Sequence, residues 1–321
     1  MDASSAGAWE SSAGEHEKTV SAAEAALAHV AALSTGAALD RELRVTVHFH
    51  PDVVFREETV LAALAREGVY RSQFETGLGN GGLTAHPGGA RWLWESRMFG
   101  GCYDSAPASA RPKYGSLNHR PDRYGGSPRF GSCYLRLAAH TLERTTFCFP
   151  DSVFEPDAFG TAARMNLIGM VEATSVSDPL DHYIEAHLHG PLFLDRDVEE
   201  LILDPSYRDT PIHATATTLP CPLGWHDGYT LDVDRIRAYP GYRGPSVVEL
   251  GEAIADEHGT LTPRVLGAAR SWADPQELKQ VWHYLARFGR QDRTSQAWNE
   301  PAESRHVRTA SPHDPSACRT T

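Results

Sequence analysis

Residues 181–190 read DHYIEAHLHG, and the alternation of apolar and polar side chains in this stretch decides the fold class. Ile184, Ala186 and Leu188 occupy every second position. The positions around them hold polar residues: Tyr183, Glu185, His187 and His189. A period of two is typical of a β-strand that has one face in the core and the other face free. The free face then carries a phenol, a carboxylate and two imidazoles, which indicates a metal site or a pocket for a polar ligand.

A second strand shows the same pattern. In RVTVHFHPD, residues 44–52, His48 and His50 alternate with apolar residues and share the polar face. Two imidazoles on one face are able to bind a divalent ion, and His187 and His189 supply a second pair. Hydrogen-bonded or solvated histidines explain the same pattern without a ligand. The residues alone leave both interpretations open.

The composition restricts the class of protein. The chain has 321 residues, of which 41% are hydrophobic, so it can form one large domain or two with a substantial core. Its net charge is −12, from 30 basic and 42 acidic side chains, which argues against broad binding to nucleic acid. The five cysteines are odd in number and have no CxxC spacing, so neither a thiolate zinc site nor a disulfide framework is expected.

The sequence also bears on the cellular compartment. Its N-terminal residues lack the basic segment and apolar core of a secretory signal. No apolar run approaches the roughly 20 residues that are needed to cross a bilayer. We therefore expect a cytoplasmic protein without a membrane partner.

Strands outnumber helices before residue 215 and do not alternate regularly with them. The expected strands are 44–50, 130–137, 144–149, 182–190 and 197–204, and the expected helices are 15–33, 57–67 and 156–172. This order predicts an α+β fold with a mixed, largely antiparallel sheet and flanking helices. A Gly- and Asn-rich passage, residues 70–92, is too long for an ordinary connection and is expected to be functional or disordered.

The remainder of the chain has a different character. Three stretches have helical periodicity and begin at a proline or a capping residue: 244–259, 262–272 and 274–290. They predict a small C-terminal helical module. The chain then divides into a disordered N-terminus, a main domain, the helical module and a disordered tail, over residues 1–14, 15–215, 216–290 and 291–321.

The segment ARPKYGSLN, residues 110–118, combines basic residues with an aromatic ring. Tyr114 precedes Gly115, so the ring lies beside backbone that carries no side chain. Such a ring is a platform on which a planar heterocycle can stack. A turn with a half-buried tyrosine is the alternative interpretation.

The order of four segments resembles that of bacterial and phage-encoded ADP-ribosyltransferases. These segments are RPKYGSLN (111–118), FGSCYLRL (130–137), ERTTFCFPDS (143–152) and YIEAHLHGPLFLDRDVEELIL (183–203). They are similar, in order, to an RPxYG segment, a YG-containing strand, an RTTxxxGDS-like strand and a late strand of the form ExQ or ExH followed by HGxLxLxDVE. The resemblance covers residues 48–204. Residues 40–290 also resemble an uncharacterised bacterial domain family with the signatures HFHPD and YRSQFETG.

The resemblance implies the split β-sheet of the ADP-ribosyltransferase fold, with NAD as substrate. It implies that Glu185 binds the ribose 2′-hydroxyl and stabilises positive charge at the anomeric carbon, with Tyr183 as the second catalytic residue. It further implies that Tyr114 stacks on the nicotinamide. The other residues that it suggests for NAD are His48 and His50 at the adenosine ribose, Arg71, Gln73 and Asn80 at the pyrophosphate or ribose, and Gly115 and Ser132.

Departures from the family pattern bear on the acceptor. Tyr183 stands where arginine-modifying members have Glu and others have Gln, which argues against arginine as the target. Pro150 replaces the glycine of the Gly-Asp-Ser turn, and there is no Ser-Thr-Ser strand. The acceptor therefore stays open between a protein, a nucleic acid, a small molecule and water.

Two alternatives to an NAD-dependent ADP-ribosyltransferase remain. One is a His-rich metal-dependent hydrolase, and the other is a catalytically inactive binding module on the same fold. The transferase hypothesis requires no bound metal. Stoichiometric zinc or manganese favours the hydrolase, whereas the absence of nicotinamide release from NAD favours the inactive module.

Overall fold

The computed structural model describes residues 20–291, without the side chains of residues 80 and 81. Residues 1–14 and all but the first residue of the 291–321 tail, which the sequence predicts to be disordered, lie outside the described residues. So does the start of the helix expected over 15–33. The described residues form an eight-stranded sheet with helices on both faces.

The sheet is mixed and largely antiparallel, as expected from the sequence. Its strands are β1 Val45–Phe49, β2 Lys113–Leu117, β3 Cys133–Leu137, β4 Thr145–Phe149, β5 Ala158–Thr161, β6 Ile184–Leu188, β7 Val198–Leu203 and β8 Leu223–Trp225. They lie in the order β8-β7-β3-β1-β2-β6-β4-β5. Neighbouring strands are antiparallel except β7 and β8, which are parallel. This confirms the predicted mixed, largely antiparallel sheet with several helices.

Helices and short ladders complete the structure. The α-helices are α1 Ala22–Leu33, α2 Val60–Glu67, α3 Gln73–Thr76, α4 Gly79–Leu83, α5 Ala90–Met98, α6 Leu167–Ala173, α7 Leu194–Asp197, α8 Pro211–Ala216, α9 Val233–Arg237, α10 Pro245–Ile254, α11 Pro263–Ala269 and α12 Pro275–Phe288. The two-residue ladders pair Val54–Phe55 with Glu58–Thr59, Val69–Tyr70 with Leu192–Phe193, and Leu231–Asp232 with Thr260–Leu261. The Gly-rich passage 70–92 thus contains α3, α4 and the start of α5.

Local signals explain where the expected helices begin and end. The Thr59 hydroxyl accepts a hydrogen bond from the Ala62 N–H at the start of α2, and Gly68 ends the helix with a φ of 66°. Helices α10, α11 and α12, the three expected near the C-terminus, each have a proline in the first turn.

The helix expected over 156–172 is wrong in its first part. Ala158–Thr161 forms the edge strand β5, and α6 begins only at Leu167. Gly160, a poor helix former, pairs with Phe147 in the ladder, and Phe159 packs against the cluster that contains α1. Pairing with β4 at four positions outweighs the helical periodicity of this stretch.

The contact between β1 and β2 is short. These strands pair at two positions, through Val45 and Thr46, whereas β1 pairs with β3 at four positions and β2 with β6 at five. Gly115 lies against β1 here, because a Cβ on it would be 2.6 Å from the Thr46 carbonyl oxygen. The halves β8-β7-β3-β1 and β2-β6-β4-β5 therefore meet over a small area that requires glycine.

One face of the sheet forms the main hydrophobic core. Val47, Leu117, Leu135, Phe147 and Ile184 are buried on this face, because side chains alternate along each strand. Helices α2, α6 and α8 contribute apolar residues to the same cluster. The face of the sheet opposite to Glu185 is therefore covered by apolar side chains.

The other face of the sheet is polar, and the expectation that it is free is wrong. Residues of α1, α5 and the segment after α5 pack together with Cys148 of β4 and cover β4 and β6: Ala26, Val30, Met98, Phe99 and Tyr103. Trp282 of α12 packs against His50 and donates to the Pro128 carbonyl, so α12 and the segment before β3 cover the other half. The polar side chains of β6 are therefore buried.

The C-terminal helices share a core with earlier parts of the chain. Tyr124 and Leu180 belong to the same apolar cluster as Val281 of α12. Strand β8 follows residue 215 and pairs with β7. The expected boundary between residues 215 and 216 therefore precedes a strand of the main sheet.

Candidate functional site

Three neighbouring strands bring polar residues together at the centre of the covered face. The register aligns Ser116, Glu185 and Cys148 in one row across β2, β6 and β4. The next row on the same face consists of Tyr114, His187 and Thr146. We name the Glu185 site after its central residue; its members are Glu185, His187, Cys148, Ser152 and Arg91.

Glu185 is held at both carboxylate oxygens. Its Oε1 lies 2.8 Å from His187 Nε2, and its Oε2 accepts a 3.3 Å hydrogen bond from the Ser152 hydroxyl. The side chain is 8% exposed. Burial raises the pKa of this carboxyl, but the hydrogen bond from His187, together with Arg91 and Ser152, outweighs burial and holds the pKa below its usual value. Glu185 is therefore ionised at neutral pH.

A chain of hydrogen bonds leads from Tyr103 to this carboxylate. The Tyr103 hydroxyl lies 2.7 Å from His189 Nδ1, and His189 Nε2 lies 2.9 Å from Thr146 Oγ1. Thr146 Oγ1 lies 3.3 Å from His187 Nδ1. When Tyr103 and Thr146 donate to the Nδ1 atoms, each imidazole presents an N–H at Nε2, and every partner in the chain is satisfied. Burial lowers the pKa of His189 to about 3, which keeps it neutral.

Arg91 is a member of the site that the sequence did not indicate. It lies at the start of α5, is 9% exposed, and donates a 3.2 Å hydrogen bond to the Ser152 hydroxyl. Its guanidinium lies 4.1 Å from the centre of the Tyr114 ring. Its Nε has no hydrogen-bond partner among the described residues. A buried donor without a partner costs free energy, so Arg91 is suited to an acceptor group from a ligand.

Tyr114 lies in the row next to Glu185 on the same face of the sheet. Its ring, which the resemblance predicts to stack on nicotinamide, stacks on the Arg91 guanidinium. Its hydroxyl donates a 2.9 Å hydrogen bond to Glu95, which also receives 2.6 Å from Arg111. Burial raises the pKa of Glu95 in spite of this ion pair. The Tyr114–Glu95 hydrogen bond ties α5 to β2 and thereby positions Arg91 over the site.

Tyr183, the second predicted catalytic residue, is buried at the edge of the site. Its hydroxyl donates a hydrogen bond to Asp151, and its ring meets the Phe130 ring edge-on at 5.4 Å. Burial raises the pKa of both the phenol and the Asp151 carboxyl, the latter also because Glu185 is nearby. Tyr183 thus lies two residues from Glu185 with its hydroxyl engaged.

The hydrogen-bond partners of the first-strand residues His48 and His50, and of Ser132, lie outside the Glu185 site. His48 Nδ1 lies 3.3 Å from the Gly131 carbonyl, and its Nε2 accepts 3.3 Å from the Ser127 N–H. Burial lowers the pKa of His48 to about 3. His50 Nδ1 lies 3.3 Å from the Ser132 hydroxyl. Both ring nitrogens of His48 thus form hydrogen bonds with backbone groups. This corresponds to the second interpretation that the sequence left open for His48 and His50, namely hydrogen-bonded histidines without a ligand.

The remaining predicted NAD residues are dispersed. Arg71 forms ion pairs with Glu67 and Glu75, so its charge is already balanced. Gln73 lies in α3, and its Oε1 has no hydrogen-bond partner among the described residues. Asn80 lies in α4, with its side chain outside the described part of the structure. Gly115 lies against β1, where a Cβ would be 2.6 Å from the Thr46 carbonyl oxygen.

Cys148 gives the site a second chemical possibility. Its sulfur lies 3.9 Å from both Glu185 Oε1 and His187 Nε2. One ligand atom from each of these three residues lies within 4.8 Å of the others, a spacing that suits a metal ion. The His pairs suggested by the sequence are thus replaced by a Cys-Glu-His group. Burial raises the pKa of the Cys148 thiol well above its usual value, so without a metal it is protonated.

A cavity lies away from Glu185, beside β1, β3 and β7. It has a volume of about 470 Å³, and its wall includes Arg44, Tyr134, Arg136, Glu199, Glu200 and Trp225. Arg44 and Arg136 are paired with Glu199 and Glu200. The charged side chains of this cavity pair with one another. We therefore place the candidate site at Glu185, where the Nε of Arg91 has no hydrogen-bond partner among the described residues.

The fold and the site define a mixed α/β protein with a buried carboxylate-imidazole centre. Residues 44–174 and 163–288 match the family model described as "Protein of unknown function (DUF3626)", and the chain belongs to that family. This confirms the resemblance to an uncharacterised domain family. No curated protein matches the chain. Among residues 20–291, no helix is both long enough and apolar enough to cross a membrane.

Proposed function

We propose that the protein transfers ADP-ribose from NAD to an acceptor, with Glu185 as the catalytic residue. The observation that carries this proposal is the ionised Glu185 carboxylate, held at one oxygen by His187 and at the other by Ser152. A fixed negative charge that needs no reorganisation is what an oxocarbenium-like transition state requires.

In the proposed reaction the bond between ribose C1′ and the nicotinamide nitrogen breaks. The bonding electron pair leaves with nicotinamide, and positive charge develops at C1′. Glu185 accepts a hydrogen bond from the ribose 2′-hydroxyl and stabilises that charge. A nucleophilic atom of the acceptor, or of water, then forms a bond to C1′ and releases a proton. Arg91, with its free Nε, is suited to a phosphate oxygen of the same substrate.

The surroundings of the site support the binding of a planar base. Phe130 and Phe154 are large apolar residues exposed to solvent, at 45% and 59%. Phe130 packs on Tyr183, and Phe154 lies in the same short helical turn as Ser152. The short pairing of β1 and β2 beside Ser116 also divides the sheet at this point. Since Glu185 is only 8% exposed, the proposal requires these side chains to move when NAD binds.

Nicotinamide release from NAD tests the proposal. Glu185→Gln keeps the shape of the side chain but removes its charge, so turnover is expected to fall by about 10²–10³-fold, the effect of removing one electrostatic group. Glu199→Gln on β7 is the matched control, and turnover by this variant is expected to be unchanged. Equal release by the wild type and Glu185→Gln would overturn the proposal.

A metal-dependent hydrolase is the second candidate function, favoured by the Cys148–Glu185–His187 group. In this case the three residues would hold the ion, which would supply a Lewis acid and an activated water. The neighbouring Arg91 charge opposes a bound cation. Metal analysis of purified protein separates the two: stoichiometric zinc that Cys148→Ser removes would favour the hydrolase. NAD binding without nicotinamide release would favour an inactive binding module.

A further inference from the structure

Cationic side chains gather where α12 meets the segments before β3 and β6. The cationic cluster consists of Arg129, Arg243, Lys279, Arg287 and the neutral His283. Burial, followed by the charges of Arg129 and Arg243, lowers the pKa of Lys279 and brings that of His283 to about 2. Contacts also bring the cluster together: Arg243 and Arg287 both lie against Asp178, and Arg243 donates a hydrogen bond to His283. The Arg129 carbonyl accepts from Trp282, the residue before His283.

The acidic residues around the cluster do not balance its charge. Asp178 pairs with Arg243 and lies 3.6 Å from Arg287, and Asp181 pairs with Arg129. The charge of Arg129 also acts on the Asp151 carboxyl. Four cations thus face three carboxylates, which leaves an excess of one positive charge. The Lys279 ammonium has no hydrogen-bond or ion-pair partner in the part of the chain that the structure describes.

His283 adds a buried donor. It lies one helical turn after Lys279, on the same face of α12, and is 3% exposed. Its Nδ1 accepts a 3.1 Å hydrogen bond from Arg243 Nε, so a neutral ring carries its proton on Nε2. Within residues 20–291 that Nε2 has no partner, and neither has the buried Nε of Arg287.

A water molecule would satisfy the His283 donor but would leave the excess charge in place. A phosphate oxyanion satisfies the unpartnered donors and neutralises the excess charge together. We propose that the cationic cluster binds a phosphate group, with Lys279, His283 and Arg129 as its main donors. The site does not depend on the proposed reaction at Glu185.

Calorimetric titration with inorganic phosphate tests this proposal. Wild-type protein is expected to show one saturable site. Lys279→Gln removes a charge-assisted hydrogen bond and is expected to weaken binding at least about tenfold. Arg264→Gln is the matched control, because it removes one exposed cation from the neighbouring helix α11, and its affinity is expected to equal that of the wild type.

Further measurements keep the result interpretable. The His283 Nε2 resonance is expected to shift when phosphate is added, which a merely structural histidine would not show. A parallel titration with ribose 5-phosphate distinguishes a phosphomonoester from free phosphate as the better ligand. Glu185→Gln is expected to bind phosphate like the wild type, so failure of the proposed reaction leaves this site testable. Absence of saturable binding, or equal affinity in Lys279→Gln, would overturn the proposal.

Discussion

Glu185 retains its charge in a place where carboxyl groups usually lose it. Burial alone raises the pKa of such a group, and His187, Arg91 and Ser152 reverse the effect. His187 is in turn oriented by Thr146, and Thr146 by its contact with His189. The functional unit at the residue scale is therefore a carboxylate together with the neighbours that hold its charge and its position.

Gly115 allows a test of the contact between the two halves of the sheet. Gly115→Ala adds a Cβ 2.6 Å from the Thr46 carbonyl oxygen and 3.2 Å from Val45 and Val47 methyl carbons. We expect the free energy of unfolding to fall by about 1–3 kcal/mol, the usual cost of overpacking. Urea denaturation measures the change.

The matched control is Gly169→Ala in α6. No atom lies within 4 Å of the added Cβ, so this variant is expected to be more stable by about 0.4–1 kcal/mol. If Gly115→Ala is as stable as the wild type, close packing is not the reason for glycine at this position.

At this scale the sequence located only part of the site. Alternation in residues 181–190 was enough to place Glu185 and His187 on one face. The strand Lys113–Leu117, which brings Tyr114 beside His187, was not among the expected strands. Alternation could not indicate Arg91, because that residue reaches Glu185 only through the packing of α5 over the sheet. It also could not show that the ring nitrogens of His48 are bound by backbone, since this depends on the loop that precedes β3.

Among the elements, the junction of α7 and β7 depends on one buried carboxylate. Asp197 lies 3.0 Å from both His140 and Arg144, and it accepts a 2.8 Å hydrogen bond from the Phe193 N–H. Burial raises its pKa, but hydrogen bonds from Arg196, the Phe193 N–H and His140 hold the pKa well below its usual value. The residue thereby joins the segment between β3 and β4 to the start of β7.

Asp197→Asn is expected to reduce the free energy of unfolding by about 3 kcal/mol, since it breaks a buried ion pair. Because the pKa of Asp197 is lower in the folded state, the ionised side chain stabilises the fold at pH values above 3.8, the pKa in the unfolded chain. This stabilisation is lost as the pH falls through the pKa of the folded state. The difference between wild type and variant should therefore shrink below pH 3.8. Thermal unfolding across pH measures it, with the exposed Asp195→Asn as control. A difference that is constant with pH would contradict this assignment.

Helices with clear caps could be predicted from the sequence, whereas edge strands could not. The helix α2 ends at Gly68 and α12 starts after Asp274, both of which are local signals. Strand β5 was mistaken for helix because its pairing with β4 is not visible in its own residues. Tertiary contacts decide such segments.

For the whole molecule, the C-terminal helices and the sheet are joined by buried contacts. Trp282 donates to the Pro128 and Arg129 carbonyls, both at 3.1 Å, and its ring contacts His50. Strand β8 extends the sheet from the C-terminal side of residue 215. We therefore expect residues 20–291 to unfold in one cooperative transition.

Trp282→Phe tests this coupling, because it keeps a ring but leaves two buried carbonyls without their donor. The expected loss is about 1–3 kcal/mol, shared by the entire transition. Urea unfolding followed by far-ultraviolet circular dichroism should show one transition with a lower midpoint and an unchanged slope. Trp272→Phe, at a side chain 60% exposed, is expected to leave the midpoint in place. Two transitions, of which only one shifts, would show that the helices unfold independently.

The most direct test of the central claim is a crystal structure of the Glu185→Gln variant soaked with NAD. The measured quantity is the distance from the residue-185 side chain to the ribose 2′-hydroxyl next to nicotinamide. We expect a hydrogen bond of about 2.7–3.2 Å. NAD bound with that ribose elsewhere, or a soaked site without NAD, would contradict the proposed role of Glu185.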